Sequence, residues 1–360
     1  MHDLRQALQA LSAGFSNILY EKDEYFLQNM QSRNLAGDDI ARYQFWEWPQ
    51  GVGLFALARL WQEKREAEQL ELLTSFYDQR IAEGLPAKNI NTMAPMLALS
   101  IIAREVPKPS YLKACREWAE WAMHELPRTP EGGFQHITSD TVNEGELWDD
   151  TLMMAVSPLA NIGLLLEEPS YMEEAIRQVH IHAKYLKDPE TGLWFHGYSF
   201  VERSNLSRAL WGRGNCWVTI ALPFLMEILP LDTDQHAFFA SLLQDQAEAL
   251  KACQDANGMW HTLLDDPASY KEASATCGFA YGLLRSRKLG LLDARYEQVA
   301  MRALDAILPL IDSNGTVSQV SYGTPMGRTD KEFYKRIPLV KMPYGTALAL
   351  LYLIEVHLAA

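Results

Sequence analysis

The sequence predicts an all-α protein, an (α/α)6 barrel in which six helical hairpins close into a toroid. Two observations carry this: helical periodicity nearly throughout, and a glycine turn that recurs at a fixed interval. The turns are Glu131-Gly132-Gly133-Phe134-Gln135-His136, Thr191-Gly192-Leu193-Trp194-Phe195-His196, Asn257-Gly258-Met259-Trp260-His261 and Asn314-Gly315-Thr316-Val317. Their spacings of 60, 66 and 57 residues in a chain of 360 imply about six units. Each unit reads as a polar turn, a short aromatic stretch and a long helical pattern.

The elements follow in order. Leu4, Leu8, Leu11 and Phe15 repeat at three and four residues, as do Leu54, Leu57, Ala58 and Trp61, and near the end Leu348, Leu351, Ile354 and Leu358. Helix stops are expected at Gly84-Leu85-Pro86, Pro107-Lys108-Pro109, Pro127, Leu229-Pro230 and Pro309. Strands are expected only in the aromatic stretches after the glycine turns. No hairpin in a ring buries its apolar face without both neighbours, so residues 1–360 are expected to form a single domain.

A hydrophobic content of 48% supplies a sizeable core, and no run of about 18 apolar residues suggests a membrane span. The opening Met1-His2-Asp3-Leu4-Arg5 lacks the basic-then-apolar pattern of a secretory signal. Cys115, Cys216, Cys253 and Cys277 are scattered without metal-ligand spacing, which suits a reducing, cytoplasmic compartment. A formal net charge of −14 argues against nucleic acid as a partner. It leaves room for a small anionic substrate, since a few pocket arginines can hold a carboxylate whatever the outer surface carries. The chain is expected to be a monomer or a homodimer.

The sharpest local signal is Trp148-Asp149-Asp150-Thr151-Leu152-Met153-Met154, an acidic pair immediately before an apolar helical run. Either aspartate could cap that helix; a carboxyl between Trp148 and Met154 could equally be desolvated and act as a general acid. His136, His196 and His261 occupy equivalent repeat positions and could converge on one rim, whereas His180 and His182 lie in a polar helix and are expected to be solvated. Arg213, in Trp211-Gly212-Arg213-Gly214-Asn215-Cys216-Trp217, has the forked geometry that suits a carboxylate, beside glycines that let a ligand approach the backbone. Tyr43, Phe45, Trp46 and Trp48 form an aromatic cluster of the kind on which sugar rings stack, with core packing as the alternative. Asn91 or Thr92 could cap a helix or line the rim. Asp265, Asp266 and Glu272 are expected in turn or capping roles.

Together Trp148-x-Asp150-Thr151-Leu152-x-Met154, Trp211-Gly212-Arg213-Gly214-Asn215-x-Trp217 and Gly258-Met259-Trp260-His261 resemble glycoside hydrolase family 105, the unsaturated rhamnogalacturonyl hydrolases, relatives of the family 88 unsaturated glucuronyl hydrolases. The resemblance runs from Trp46-Glu47-Trp48-Pro49 to Pro343-Tyr344-Gly345. It implies an (α/α)6 barrel that releases a 4,5-unsaturated uronic acid from the non-reducing end of lyase-generated oligosaccharides, by hydration of the C4=C5 bond. It also implies that Asp150 is the catalytic acid and base, with Asp149 at a variable position. His196, Arg213, Trp211 and Trp217 would hold the unsaturated sugar. His136, Asn91, Tyr43 and Trp46 would complete the site. Relatives carry a second aspartate where this chain has the amides Asn89 and Asn91, so that acid would be auxiliary. No metal or organic cofactor is implied. Other readings are an unsaturated glucuronyl hydrolase for another polysaccharide, a sugar epimerase, or a carbohydrate-binding protein on the same ring.

Overall fold

The computed structural model describes residues 4–22, 24 and 40–359. Among the described residues twelve helices have eight residues or more: α1 (Leu4–Ile18), α2 (Trp48–Lys64), α3 (Ala67–Glu83), α4 (Met96–Ala103), α5 (Pro109–His124), α6 (Ser157–Leu166), α7 (Pro169–Leu186), α8 (Gly212–Ile228), α9 (Thr233–Cys253), α10 (Ala273–Lys288), α11 (Ala294–Ile307) and α12 (Pro343–Ala359). The even-numbered helices form a closed inner ring, α2–α4–α6–α8–α10–α12 and back to α2. Each also packs on the outer helix of its own hairpin. The last hairpin is made from the two ends of the chain, because α12 takes α1 as its outer partner.

Composition separates the two layers. Every residue of α4 is buried, and so is most of α12, whereas outer helices such as α1 bury a single stripe of Ala7, Leu11 and Phe15. Strands are short and, contrary to expectation, not confined to the stretches after the glycine turns: each that follows such a turn pairs with one from a loop elsewhere. β1 (Glu146–Trp148) pairs antiparallel with β2 (Gly197–Ser199), and β3 (Val320–Ser321) with β4 (Leu339–Val340).

The glycine turns weld one repeat to the next. Gly258 has φ +91, and a β-carbon there would lie 2.2 Å from the carbonyl oxygen of Arg302 in α11. Gly315 has φ +75 and would meet the carbonyl of Ala10 in α1 at 2.1 Å, so the fourth turn closes the ring onto its first helix.

Because inner and outer helices alternate along the chain, the inner helices all run the same way. At their C-terminal ends Arg285 of α10 binds Glu227 of α8 at 2.5 Å and lies 3.8 Å from Glu355 of α12, while Arg59 of α2 lies 3.6 Å from Glu227. At their N-terminal ends Trp48 of α2 stacks on Tyr344 of α12, 4.5 Å between ring centroids, and meets Trp217 of α8 edge-on at 5.5 Å. The positive ends of the helix dipoles therefore gather at one mouth of the barrel.

Candidate active site

Asp149 and Asp150 lie between β1 and a π-helical turn, Leu152–Val156, that leads into α6. Such turns are uncommon and gather at functional sites. The two neighbours sit in different environments. Asp149 is fully buried, and neither carboxyl oxygen has a hydrogen-bond partner among the described residues. The capping role open to it in the sequence is not realised in these contacts. Asp150 keeps 16% of its side chain exposed. Its Oδ1 is sealed inside, 3.1 Å from Nδ1 of His136, but the hydrogen-bond geometry of that nitrogen is directed to Oγ1 of Thr151 at 3.0 Å. Burial pushes the Asp150 pKa up to about 7, opposed by the amides of Thr151 and Asp150 and by the Arg213 charge. Burial raises that of Asp149 well above the carboxylate range, with the Asp150 charge adding to it.

His136 stacks face to face on Trp148, 4.2 Å between centroids, and His196 meets the same indole edge-on at 5.0 Å. The Trp148 indole N–H donates to Glu146, whose other oxygen binds Arg328. Two of the three repeat histidines thus converge on one ring. His261 does not join them, since its nitrogens face the carbonyl of Ser269 and the carboxylate of Asp255 within its own turn. His182 is also a correction: it is fully buried, bonded through Nδ1 to the Gln178 carbonyl, and its pKa falls to about 4. The apolar packing of α7 covers it, despite its polar neighbours in sequence.

Arg213 opens α8 beneath this cluster. It is buried and held by Oγ and the carbonyl of Ser321, at 2.6 and 3.0 Å, the Tyr322 carbonyl at 3.2 Å and Oγ1 of Thr324 at 3.0 Å. Glu272, the N-cap of α10, balances its charge at 3.6 Å. Its guanidinium lies over Trp211 at 4.8 Å and over Tyr344 at 4.7 Å. Asn215 of the same motif is spent on the backbone of Trp194, donating to its carbonyl and accepting from its amide.

Asn89 caps the short helix Ile90–Met93 by accepting from the Thr92 amide, whereas Asn91, one turn position on, is half-buried on a helix that packs against the π-turn. Tyr43 and Trp46 stand apart. Trp46 is 1% exposed, stacks on Phe76, contacts Tyr77 and Trp118, and donates its indole N–H to the Thr92 carbonyl. That packing leaves it no free face for a sugar, and Tyr43 is equally buried. Trp48 is the ring of this stretch that joins the site, through Tyr344 and Trp217.

Sequence reasoning missed the strap formed by residues 322–336. Its Tyr334 bonds His196, its Arg328 binds Glu146, and Lys331 and Lys335 bind Asp265 and Asp266 at 2.6 and 2.5 Å. No local pattern marks it, since these partners are distant in sequence. Around Trp148 the buried atoms Asp149 Oδ1 and Oδ2, Asp150 Oδ1, His196 Nε2 and Trp211 Nε1 have no hydrogen-bond partner among the described residues. Orphaned polar atoms are rare in folded proteins, and their concentration here makes this cluster the candidate site.

A family model described as Glycosyl Hydrolase Family 88 matches residues 23–359. The chain belongs to glycosyl hydrolase family 88. It is 34% identical over 314 residues to the unsaturated rhamnogalacturonyl hydrolase YesR of Bacillus subtilis, covering 86% of this chain and 89% of that one. A possible member of the GH105 family from Salmonella enterica superposes with a TM-score of 0.90 at 42% identity, over 98% of this chain and 94% of the other. The unsaturated glucuronyl hydrolase of Bacillus sp. GL1 shares the fold, with a TM-score of 0.70 at 16% identity over 98% and 97% of the two chains. Among the described residues, no helix of this glycosyl hydrolase is long and apolar enough to cross a membrane.

Proposed function

We propose that the enzyme hydrates the C4=C5 bond of a 4,5-unsaturated uronic acid at the non-reducing end of an oligosaccharide, with an unsaturated rhamnogalacturonan disaccharide as the leading substrate. The observation that carries this is the division of labour among the carboxyls. Asp150 reaches solvent, Asp149 is sealed, and Glu146 is bound by Trp148 and Arg328. An ordinary glycosidase needs two open carboxyls across the scissile bond; hydration needs one. The name of the Bacillus subtilis relative supports the rhamnogalacturonyl substrate.

Burial lifts the Asp150 pKa to about 7, so a large share of the carboxyl stays protonated near neutral pH, ready to act as an acid. Its O–H delivers a proton to C4, and the π electrons of the double bond form the new C–H bond. Positive charge develops at C5 and the ring oxygen. Water adds to C5, its proton passes to the Asp150 carboxylate, and the acid is restored. The hemiketal at C5 then opens and releases the next sugar. The inner-helix N-termini around the mouth favour the uronate carboxylate, which answers how a chain of net charge −14 attracts an anionic sugar. Four free thiols, three of them buried, suit a cytoplasmic enzyme.

The test follows the ultraviolet band of the conjugated enol ether while purified enzyme acts on lyase-generated disaccharide. Loss of the band with wild type and at least about a thousand-fold slower loss with Asp150→Asn is the expected result, an acid–base group being worth up to about 10⁴. An Asp150→Asn variant that turns over normally sinks the assignment. A panel carrying rhamnose, glucuronic acid or sulfated sugars then maps the aglycone.

A further inference from the structure

Tyr334 approaches His196 across 138 residues of sequence, and the direction of hydrogen bonding between them can be worked out. The amide of Gly327 lies 3.0 Å from the Tyr334 hydroxyl. A backbone N–H only donates, so the phenol oxygen accepts there and keeps its own hydrogen to give away. Nδ1 of His196 is 2.6 Å from that oxygen; of the other side chains that bear on it, the Ser207 hydroxyl acts as a donor, and the Met326 thioether, a weak acceptor, is 3.6 Å away. The short contact fits O–H donating to nitrogen. With Nδ1 accepting, a neutral imidazole carries its hydrogen on Nε2.

The ring is held neutral by burial, with His136 and Arg213 opposing protonation further. Asp149 is the acidic group that bears on Tyr334 itself, and burial keeps it protonated. Nε2 is buried and has no hydrogen-bond partner among the described residues, and neither has the indole nitrogen of Trp211, whose ring centroid is 4.3 Å from that of the imidazole. A buried donor left unpaired is costly, so two side by side describe a place where a ligand brings acceptors.

We propose that Tyr334, backed by the Gly327 amide, is a positioning residue that fixes His196 as an Nε2–H donor to an oxygen of the bound sugar. The strap is thereby part of substrate recognition. Lys331 and Lys335 on either side of Tyr334 anchor it to Asp265 and Asp266, and Arg328 to Glu146. His196 is a fixed donor in this arrangement and not a proton-transfer group. The proposal rests on the reading above only in taking the ligand to be a sugar.

The deciding measurement is the nitrogen NMR spectrum of histidine-labelled full-length enzyme without substrate. The expected result is a proton on Nε2, a bare Nδ1, and no titration of His196 around its usual pKa of about 6.5. A proton on Nδ1, or titration in that range, overturns the proposal whether or not the enzyme turns over. With Tyr334→Phe the tautomer is expected to become mixed and KM to rise about tenfold, the loss of one hydrogen bond, with kcat changed less. An unchanged tautomer and KM overturn it. Should Tyr334→Phe fail to fold, His196→Gln and His196→Asn decide. The glutamine amide reaches the Nε2 position and should retain more activity than the asparagine; the reverse order overturns the assignment. Absence of wild-type turnover on unsaturated disaccharide overturns the substrate reading alone, because the tautomer is read without it.

Discussion

The Asp149 carboxyl rests directly against Gly214: a β-carbon at residue 214 would come within 2.3 Å of Oδ2. The glycine of the Trp211–Trp217 segment therefore makes room for a side chain of the Trp148–Met154 segment. The two motifs are one packed unit. Gly214→Ala is expected to displace the Asp149–Asp150 turn and lower stability by about 1–3 kcal/mol, the usual cost of overpacking. Urea denaturation alongside kcat checks it; a variant with both unchanged contradicts the contact.

Asp149 predicts a pH-dependent stability. Burial raises its pKa, so the folded protein keeps the proton where the unfolded chain, titrating near 3.9, has lost it. Stability from this group is complete below about pH 4 and declines as pH rises towards the folded-state value. Asparagine has the same shape and no proton to lose. The thermal gain of Asp149→Asn over wild type should grow between about pH 4 and pH 8; a gain independent of pH would falsify the buried-acid assignment.

Turnover should depend on pH through Asp150. The first step needs the protonated acid, whose pKa burial pushes up to about 7. The rate is expected to hold on the acid side and fall about tenfold per pH unit well above neutrality. A rate still level across the alkaline limb would remove Asp150 from the acid role.

Arg213 has structural work as well as a candidate binding role. Its bonds to Ser321, Tyr322 and Thr324 fix the start of the strap, and Glu272 loses its counter-charge when it goes. Arg213→Ala should destabilise by about 3–5 kcal/mol, as broken buried pairs do, and raise KM for a uronate. Thermal denaturation and steady-state kinetics read the two effects separately. A variant of wild-type stability would mean the guanidinium is not holding the strap.

The ring was legible because its signals are local. Periodic apolar stripes and recurrent glycine turns each lie within one repeat, and the structure places them as expected. Asp150 stood out because an acid between Trp148 and an apolar run is unusual over a few residues. What escaped has no local signature. Choosing Trp48 over Trp46 requires knowing that Tyr344 lies opposite, and burying His182 requires the helices around α7. Tyr334 reads as an ordinary aromatic until the fold carries it to His196. The divided fates of Asp149 and Asp150 are likewise invisible in a dipeptide, because burial is decided by Gly214 and by the cluster around Trp148.

The pairing of α1 with α12 has a consequence for how the protein is made. α1 is made long before α12; its Ala7–Leu11–Phe15 stripe is covered in part where Phe15 meets Gly53 of α2 and is completed when α12 arrives. Until then the nascent chain is an open arc with an apolar edge at each end. Contacts of such long sequence separation form slowly, and unclosed arcs are the species that would stick to one another. Closure is thus the final act of folding, and it completes the mouth in the same stroke, because the N-terminus of α12 carries Tyr344 up against Trp48.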